Sequence, residues 1–284
     1  MPLVKMSKLL LRARRDGRGC ASFSVYSMES LIGVMRAAEE SGTALILQLA
    51  EARFGTAPLE LMGPMMIAAA KNSELEIAVH LDHGTSFSAI QRALELGFRS
   101  VMYDGSLLPF EENVEGGRRA VEMARGFDAD VEAELGLIGK GEGGGEDHGI
   151  LYTRADDAEE FVRRTGVDAL AIAIGNKHGN YTGEPKLRFD ILREIHRRIP
   201  DELLVLHGGS GISDADFQRS IKEGITKINI ATAIADAVVR ASGDYLSSVK
   251  RDGRADFYQM SGRIAEEVRE VAEHHIRVFN REEL

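Results

Sequence analysis

Eight short β-rich runs, each followed by a stretch with helical spacing, constrain this 284-residue chain more than any other feature. The runs are ASFSVY (21–26), ALILQL (44–49), IAVHLD (77–82), SVMYDG (100–105), ADVEAEL (129–135), ALAIAIG (169–175), LLVLHG (203–208) and ITKINIA (225–231). Between them, a segment such as SFSAIQRALELG places Phe87, Ile90 and Leu94 on one face, with Ser86 or Thr85 as the cap. Ser213, with Asp216 three residues on, makes a similar start close to a capping box. Strands alternating with helices pair in parallel through right-handed crossovers. Eight such units, in a chain near the roughly 250 residues usual for the fold, predict a closed (β/α)8 TIM barrel. A doubly wound open sheet is the competing architecture. Its support is thin, because the first turn, SVYSMES, lacks the glycine fingerprint of a dinucleotide fold. No shift in composition marks a second domain, so residues 1–284 read as a single α/β barrel domain. An extra amphipathic C-terminal helix follows from about 256 to 280.

Composition narrows the partners. A net charge of −10 argues against a broad nucleic-acid face but leaves room for a small anionic substrate held by local donors. The lone Cys20 excludes an internal disulfide, and no secretory signal opens the chain. No apolar run approaches the roughly 18 residues of a membrane span. A cytoplasmic protein is the expectation.

In such a barrel the chemistry sits where the strands end at their C-terminal side. There the chain places Asp82 and His83, Asp104, Glu134, His178, His207, and Asn229 with Thr232. A lone strand-end histidine is more often a capped or solvated residue than a ligand. Three His–Gly steps at three strand ends weaken that reading: His83, His178 and His207 each precede a glycine that lets the backbone turn away. Three neutral imidazoles converging from separate strands make an open zinc site with a fourth position for water or substrate. Zinc there acts as a Lewis acid on a carbonyl oxygen. His80 reads as packed or supporting, His196, His274 and His275 as solvated on helices, and His148 as undecided. GGSG (208–211) and the start of the helix after NIAT offer backbone N–H groups to an anion. Alone GGSG is an ordinary turn; beside a metal histidine it becomes an anion cradle. The glycine-rich stretch 136–149 reads as a mobile active-site loop.

HLDHG, SVMYDGS, EAELG, IGNKHGNY, VLHGGSG and TKINIAT, in this order and spacing, resemble the class II, metal-dependent fructose- and tagatose-bisphosphate aldolases, from about residue 5 to 275. The resemblance implies a zinc-dependent barrel, acting as a homodimer or homotetramer. Such enzymes reversibly cleave a sugar phosphate into dihydroxyacetone phosphate and an aldehyde. It makes His83, His178 and His207 the zinc ligands, with Asp104 and Glu134 near an alternative metal position that a second divalent or monovalent cation could use. Asp82 becomes the acid at the aldehyde-side oxygen, and Glu142 the loop glutamate that moves a proton at carbon. Gln48, Gly179, Gly208, Gly209, Ser210, Asn229 and Thr232 fall on substrate-binding positions. Asp82 sits one residue before a ligand, so a regular strand would point the two apart. The expectation is that bending at Gly84 brings both to the rim.

The departures cluster on the far phosphate. Ser24 and Ser27 stand where bisphosphate enzymes carry asparagines, Ala50 stands where a serine follows the strand glutamine, and Thr182 replaces a lysine of some fructose-specific members. The best alignment through DFYQMSG sets Met260 at the arginine lent to a neighbouring subunit, with Arg254 and Arg263 close by. Losing an Arg–phosphate pair removes charge-assisted, often bidentate contacts. The expectation is an altered distal pocket and a preference for a ketose 1-phosphate. A non-catalytic aldolase-like accessory subunit is the rival reading, and a zinc hydrolase a third.

Overall fold

The computed structural model describes residues 3–138, 151–179, 185–249 and 253–282. All eight expected strands form. After a two-residue strand β1 (Leu3–Val4) come β2 (Cys20–Ser24), β3 (Leu45–Ala50), β4 (Ile77–Gly84) and β5 (Ser100–Tyr103), then β6 (Asp130–Leu135), β7 (Ala169–Ile172), β8 (Leu204–Leu206) and β9 (Ile225–Ile230). Every pairing between these strands is parallel, and the β4–β5 and β2–β9 pairings close the ring. The open-sheet alternative is therefore set aside. Period-two patterning explains the ring's two faces: in β6, Val131, Ala133 and Leu135 join the outer core while Asp130, Glu132 and Glu134 alternate with them.

Helices α2 (Met28–Ser41), α3 (Leu59–Asn72), α4 (Phe87–Leu96), α5 (Phe110–Arg125), α6 (Ala155–Thr165), α7 (Phe189–Arg198), α8 (Asp214–Lys222) and α9 (Thr232–Ser248) each follow a barrel strand. Their starts are chemically marked. The Ser86 and Ser213 side chains accept from Ala89 N and Asp216 N, at 3.1 and 3.2 Å, as the sequence predicts. Ser27 and Ser30 form a full capping box on α2.

Among the described residues two α-helices lie outside the repeat. α1 (Met6–Arg15), which the strand pattern does not announce, sets Met6, Leu9, Leu10 and Ala13 against Cys20, Ile46, Ala78, Ala169, Ala171 and Val205. It closes the end of the barrel where the strands begin. The expected C-terminal helix is α10 (Phe257–Phe279), and it packs on α2 at Gly33, where an added Cβ would stand 2.5 Å from the Ala265 carbonyl oxygen. His275 is not solvated as its helical position implied. It is enclosed by Phe23, Phe217 and Phe279 and donates from Nδ1 to the Val271 carbonyl at 2.7 Å. Among the described residues no helix is long and apolar enough to cross a membrane.

Candidate active site

The interior of the barrel changes character along its axis. Its lower part, next to α1, is apolar. Above that layer Ser22, Ser24, Gln48, His80, Asp82, Glu132, Glu134, His207, Lys227 and Asn229 are all buried. Burying so many polar groups is tolerable only when they satisfy one another, and the pairs they form define the site.

At the end of β4 the chain solves the alternation problem differently from the expectation. The bend lies at His83 itself, whose φ is +44°, and the register with β5 slips between Leu81 and Gly84. Such a bulge re-aims side chains, so consecutive residues 82 and 83 both reach the cleft. A left-handed backbone on a non-glycine residue costs about 1–3 kcal/mol, which the surroundings must offset. Gly84 serves the bulge by close approach: a Cβ there would stand 2.5 Å from the Met102 carbonyl oxygen.

The three imidazoles come together. Ring centroids lie 4.8 Å apart for His83–His178, 4.7 Å for His83–His207 and 5.7 Å for His178–His207. Their neighbours fix which nitrogen carries the proton. His83 Nδ1 meets Asp104 Oδ2 at 2.7 Å, and His207 Nε2 meets Glu132 Oε1 at 2.8 Å. A carboxylate accepts, so each of those nitrogens donates. The remaining nitrogens, His83 Nε2 and His207 Nδ1, then face each other across 3.1 Å. The position calls for a proton or a metal cation between them, and tetrahedral nitrogen ligands about 2.05 Å from zinc would stand roughly 3.3 Å apart. His178 adds a second sign, since both its ring nitrogens are buried with no hydrogen-bond partner among the described residues. Asp104 is in turn held by the Ser106 N–H and hydroxyl. Carboxylate–histidine pairs of this kind orient metal ligands.

A second trio, His83, Asp104 and Glu134, also brings its donor atoms within 4.8 Å of one another, as the three histidines do. Glu134 Oε2 is buried with no hydrogen-bond partner among the described residues, 3.5 Å from His207 Nδ1. The donor set thus fits a divalent cation on the three histidines and leaves carboxylates beside it for a shifted position. The electrostatics agree. Burial, then the neighbouring His83, pushes the His178 and His207 imidazoles well below their ordinary value, so both rings are neutral. Burial opposes charge on His83 as well, but Asp82, Asp104 and Glu134 outweigh it and hold that imidazole well above its usual value. Burial and the Asp104 charge push the Glu134 carboxyl well up. The locus favours positive charge.

Beside the histidines a small cleft, partly open to solvent, is lined by Asp82, His83, His178, Gly179, Gly208, Gly209, Ser210, Asn229 and Thr232, with Ala231. The turn needs its glycine at 208, where φ is +65° and a Cβ would collide with the Lys177 carbonyl. Ser210 Oγ accepts from Ala233 N at 2.9 Å, drawing the turn against the start of α9, whose own N-cap, Ala231, makes no side-chain cap. Helix N-termini with such N–H groups bind anions. Asp82 faces the cleft held on both oxygens: Asn229 Nδ2 donates to one at 3.0 Å and Gln48 Nε2 to the other at 3.1 Å.

Gln48 is placed otherwise than expected. It is fully buried and absent from the cleft lining; besides Asp82 it donates to Ser24 Oγ and accepts from Ser22. It orients Asp82 from behind. Ser27, the other serine of the departures, is committed to capping α2. Glu142 and Thr182 lie outside the described residues. Two functional candidates escaped the strand-end reading, Glu132 and Lys227. Period-two alternation was the available signal, since Glu132 shares a face with Glu134 and Lys227 with Asn229.

Comparison with known proteins gives concordant findings. The sequence model of class II fructose-bisphosphate aldolase matches residues 4–283. The chain is 39% identical over 250 residues to the D-tagatose-1,6-bisphosphate aldolase subunit GatY of Klebsiella oxytoca, covering 86% of this chain and 87% of that one. It is 38% identical over 258 residues to the fructose-bisphosphate aldolase of Staphylococcus aureus, covering 88% of each. Its fold superposes on the crystal structure of the YdjI aldolase of Escherichia coli K12 with a TM-score of 0.86 at 33% identity, over 98% of this chain and 97% of that one.

Proposed function

The chain belongs to the class II fructose-bisphosphate aldolase family, and from that premise we propose that it is a zinc-dependent ketose-phosphate aldolase. It cleaves its substrate reversibly to dihydroxyacetone phosphate and an aldehyde. One observation carries the reading: neighbouring carboxylates turn His83 Nε2 and His207 Nδ1 toward each other next to Asp82, beside His178, whose ring nitrogens have no hydrogen-bond partner among the described residues. A divalent cation held by His83, His178 and His207 supplies, when bound, a Lewis acid that polarises the ketone oxygen.

The chain's own groups do the rest. The 208–210 turn and the α9 N-terminus hold the phosphate of the three-carbon half. Asp82, locked by Asn229 and Gln48, takes the proton from the hydroxyl on the aldehyde-side carbon as the carbon–carbon bond breaks, and returns it in synthesis. Glu142 supplies the proton at the carbon of the three-carbon fragment. The preferred substrate is a ketose 1-phosphate: Ser27 is occupied as a helix cap, Ser24 lies buried against Gln48, and Met260 offers no charge to a far phosphate. The protein works as a homodimer or homotetramer in the cytoplasm.

The deciding experiment compares cleavage of fructose 1-phosphate, fructose 1,6-bisphosphate and tagatose 1,6-bisphosphate, with chelator and after zinc is restored. Turnover lost with chelator and regained with zinc supports the aldolase, and a higher kcat/KM for fructose 1-phosphate supports the altered pocket. A strong bisphosphate preference refutes the pocket and leaves the aldolase standing. A second reading has one observation in its favour: the relative GatY is named a subunit. No turnover by the purified chain with any substrate would favour an accessory role.

A further inference from the structure

Beneath the imidazole cluster lies an ion pair whose lysine the proposed chemistry does not use. Lys227 and Glu132 are both fully buried, with Nζ 2.7 Å from Oε2. They lie above the apolar layer of Ala78, Ala169, Ala171 and Val205 that α1 seals. Removing two charges from water costs several kcal/mol per ion after relaxation, and replacing such a pair by uncharged residues of similar volume is often neutral or stabilising. Stability therefore does not account for the pair.

Its geometry does. Glu132 divides its two oxygens: Oε2 binds Lys227 and Oε1 receives His207 Nε2 at 2.8 Å. A buried glutamate with one partner would be able to rotate about its last bond and offer either oxygen in either direction. His80, whose Nε2 lies 3.7 Å from Oε2 and has no hydrogen-bond partner among the described residues, would be a competing donor. Lys227 pulls Oε2 toward β9 and leaves Oε1 aimed at His207. His207 then keeps its proton on Nε2 and turns Nδ1 to the cleft. Asp104 performs the same service for His83, but it is anchored by Ser106 at the rim rather than by a charge.

We infer that Lys227 and Glu132 are a positioning pair that sets the tautomer and ring orientation of His207 for the cation. This rests on the metal site of the proposed function. The test is cobalt(II) titration of metal-free protein, followed by the visible absorption of the bound ion, with thermal unfolding of the same metal-free samples. The Glu132→Gln/Lys227→Met double variant removes both charges and leaves neither buried alone. Its metal-free form should unfold at or above the wild-type temperature, while cobalt affinity falls about 10- to 100-fold, the usual effect of losing such support, and the absorption bands shift. A pair serving only the fold gives the opposite pattern, lower stability with unchanged affinity and spectrum, and that result overturns the inference. Failure of the wild type to bind cobalt overturns the metal site itself, and with it this role. If the double variant does not fold, long-range proton–nitrogen NMR of the histidine-labelled wild type decides: His207 protonated on Nε2 supports the pair, and protonation on Nδ1 refutes it.

Discussion

At residue 83 the backbone accepts strain so that two consecutive side chains can reach one cleft. The His83 N–H, displaced from a regular ladder, meets the Met102 sulfur at 3.4 Å, and the Gly84 carbonyl accepts from Asp104 N at 2.9 Å. These contacts tie the bulge to β5 and so tie His83 to Asp104. A methyl group at position 84 pushes against the Met102 carbonyl, which cannot swing away as a flexible side chain would. Gly84→Ala should therefore cost about 1–3 kcal/mol in a urea melt, the usual range for overpacking, and weaken cobalt binding as His83 moves. Unchanged stability and affinity would show that the close β4–β5 approach does not place His83.

At the scale of elements, α10 carries a group that ties stability to pH. Burial, above all, pushes the His275 imidazole down to about 4, against the help of its Val271 carbonyl contact, with His274 lowering it further and Asp214 opposing. An unfolded histidine titrates near 6.5. As pH falls below that value the unfolded chain binds a proton that the folded chain refuses, so stability declines from about pH 6.5 to about pH 4 and levels off beneath. The full difference is about 3 kcal/mol at about 1.4 kcal/mol per unit. His275→Leu, apolar among the same phenylalanines, should flatten this part of the stability profile. Between pH 7.5 and 5 the wild-type urea midpoint should fall further than the variant's; parallel profiles would remove His275 from the account.

For the whole molecule, closure of the ring and sealing by α1 make the interior one protected unit. Cys20 reports on it, being the chain's only cysteine and buried where α1 meets the barrel. Burial drives its thiol up to about 12, although Arg18 and Lys227 pull the other way. The thiolate is the reactive form. A thiol reagent at pH 8 should then modify the folded protein only at the rate of global opening and react at once in denaturant; rapid labelling in native buffer would show that α1 leaves the barrel on its own.

Much of this was legible in the chain, and for local reasons. Strand runs follow from period two, helix starts from Ser86 and Ser213, and strand-end chemistry from the three His–Gly steps, because each signal lies within a few neighbouring residues. His275 was misread because helical position tells which face a residue takes but not that phenylalanines from β2 and α8 will enclose that face. The sequence by itself determined the barrel and the polar groups at its rim. The tertiary structure alone decided that His83 bends the strand, that Gln48 stands behind Asp82, and that Glu132 joins Lys227 to His207. Those contacts join residues 34, 95 and 75 positions apart. Their distances depend on how the strands register around a closed ring, which no local pattern encodes.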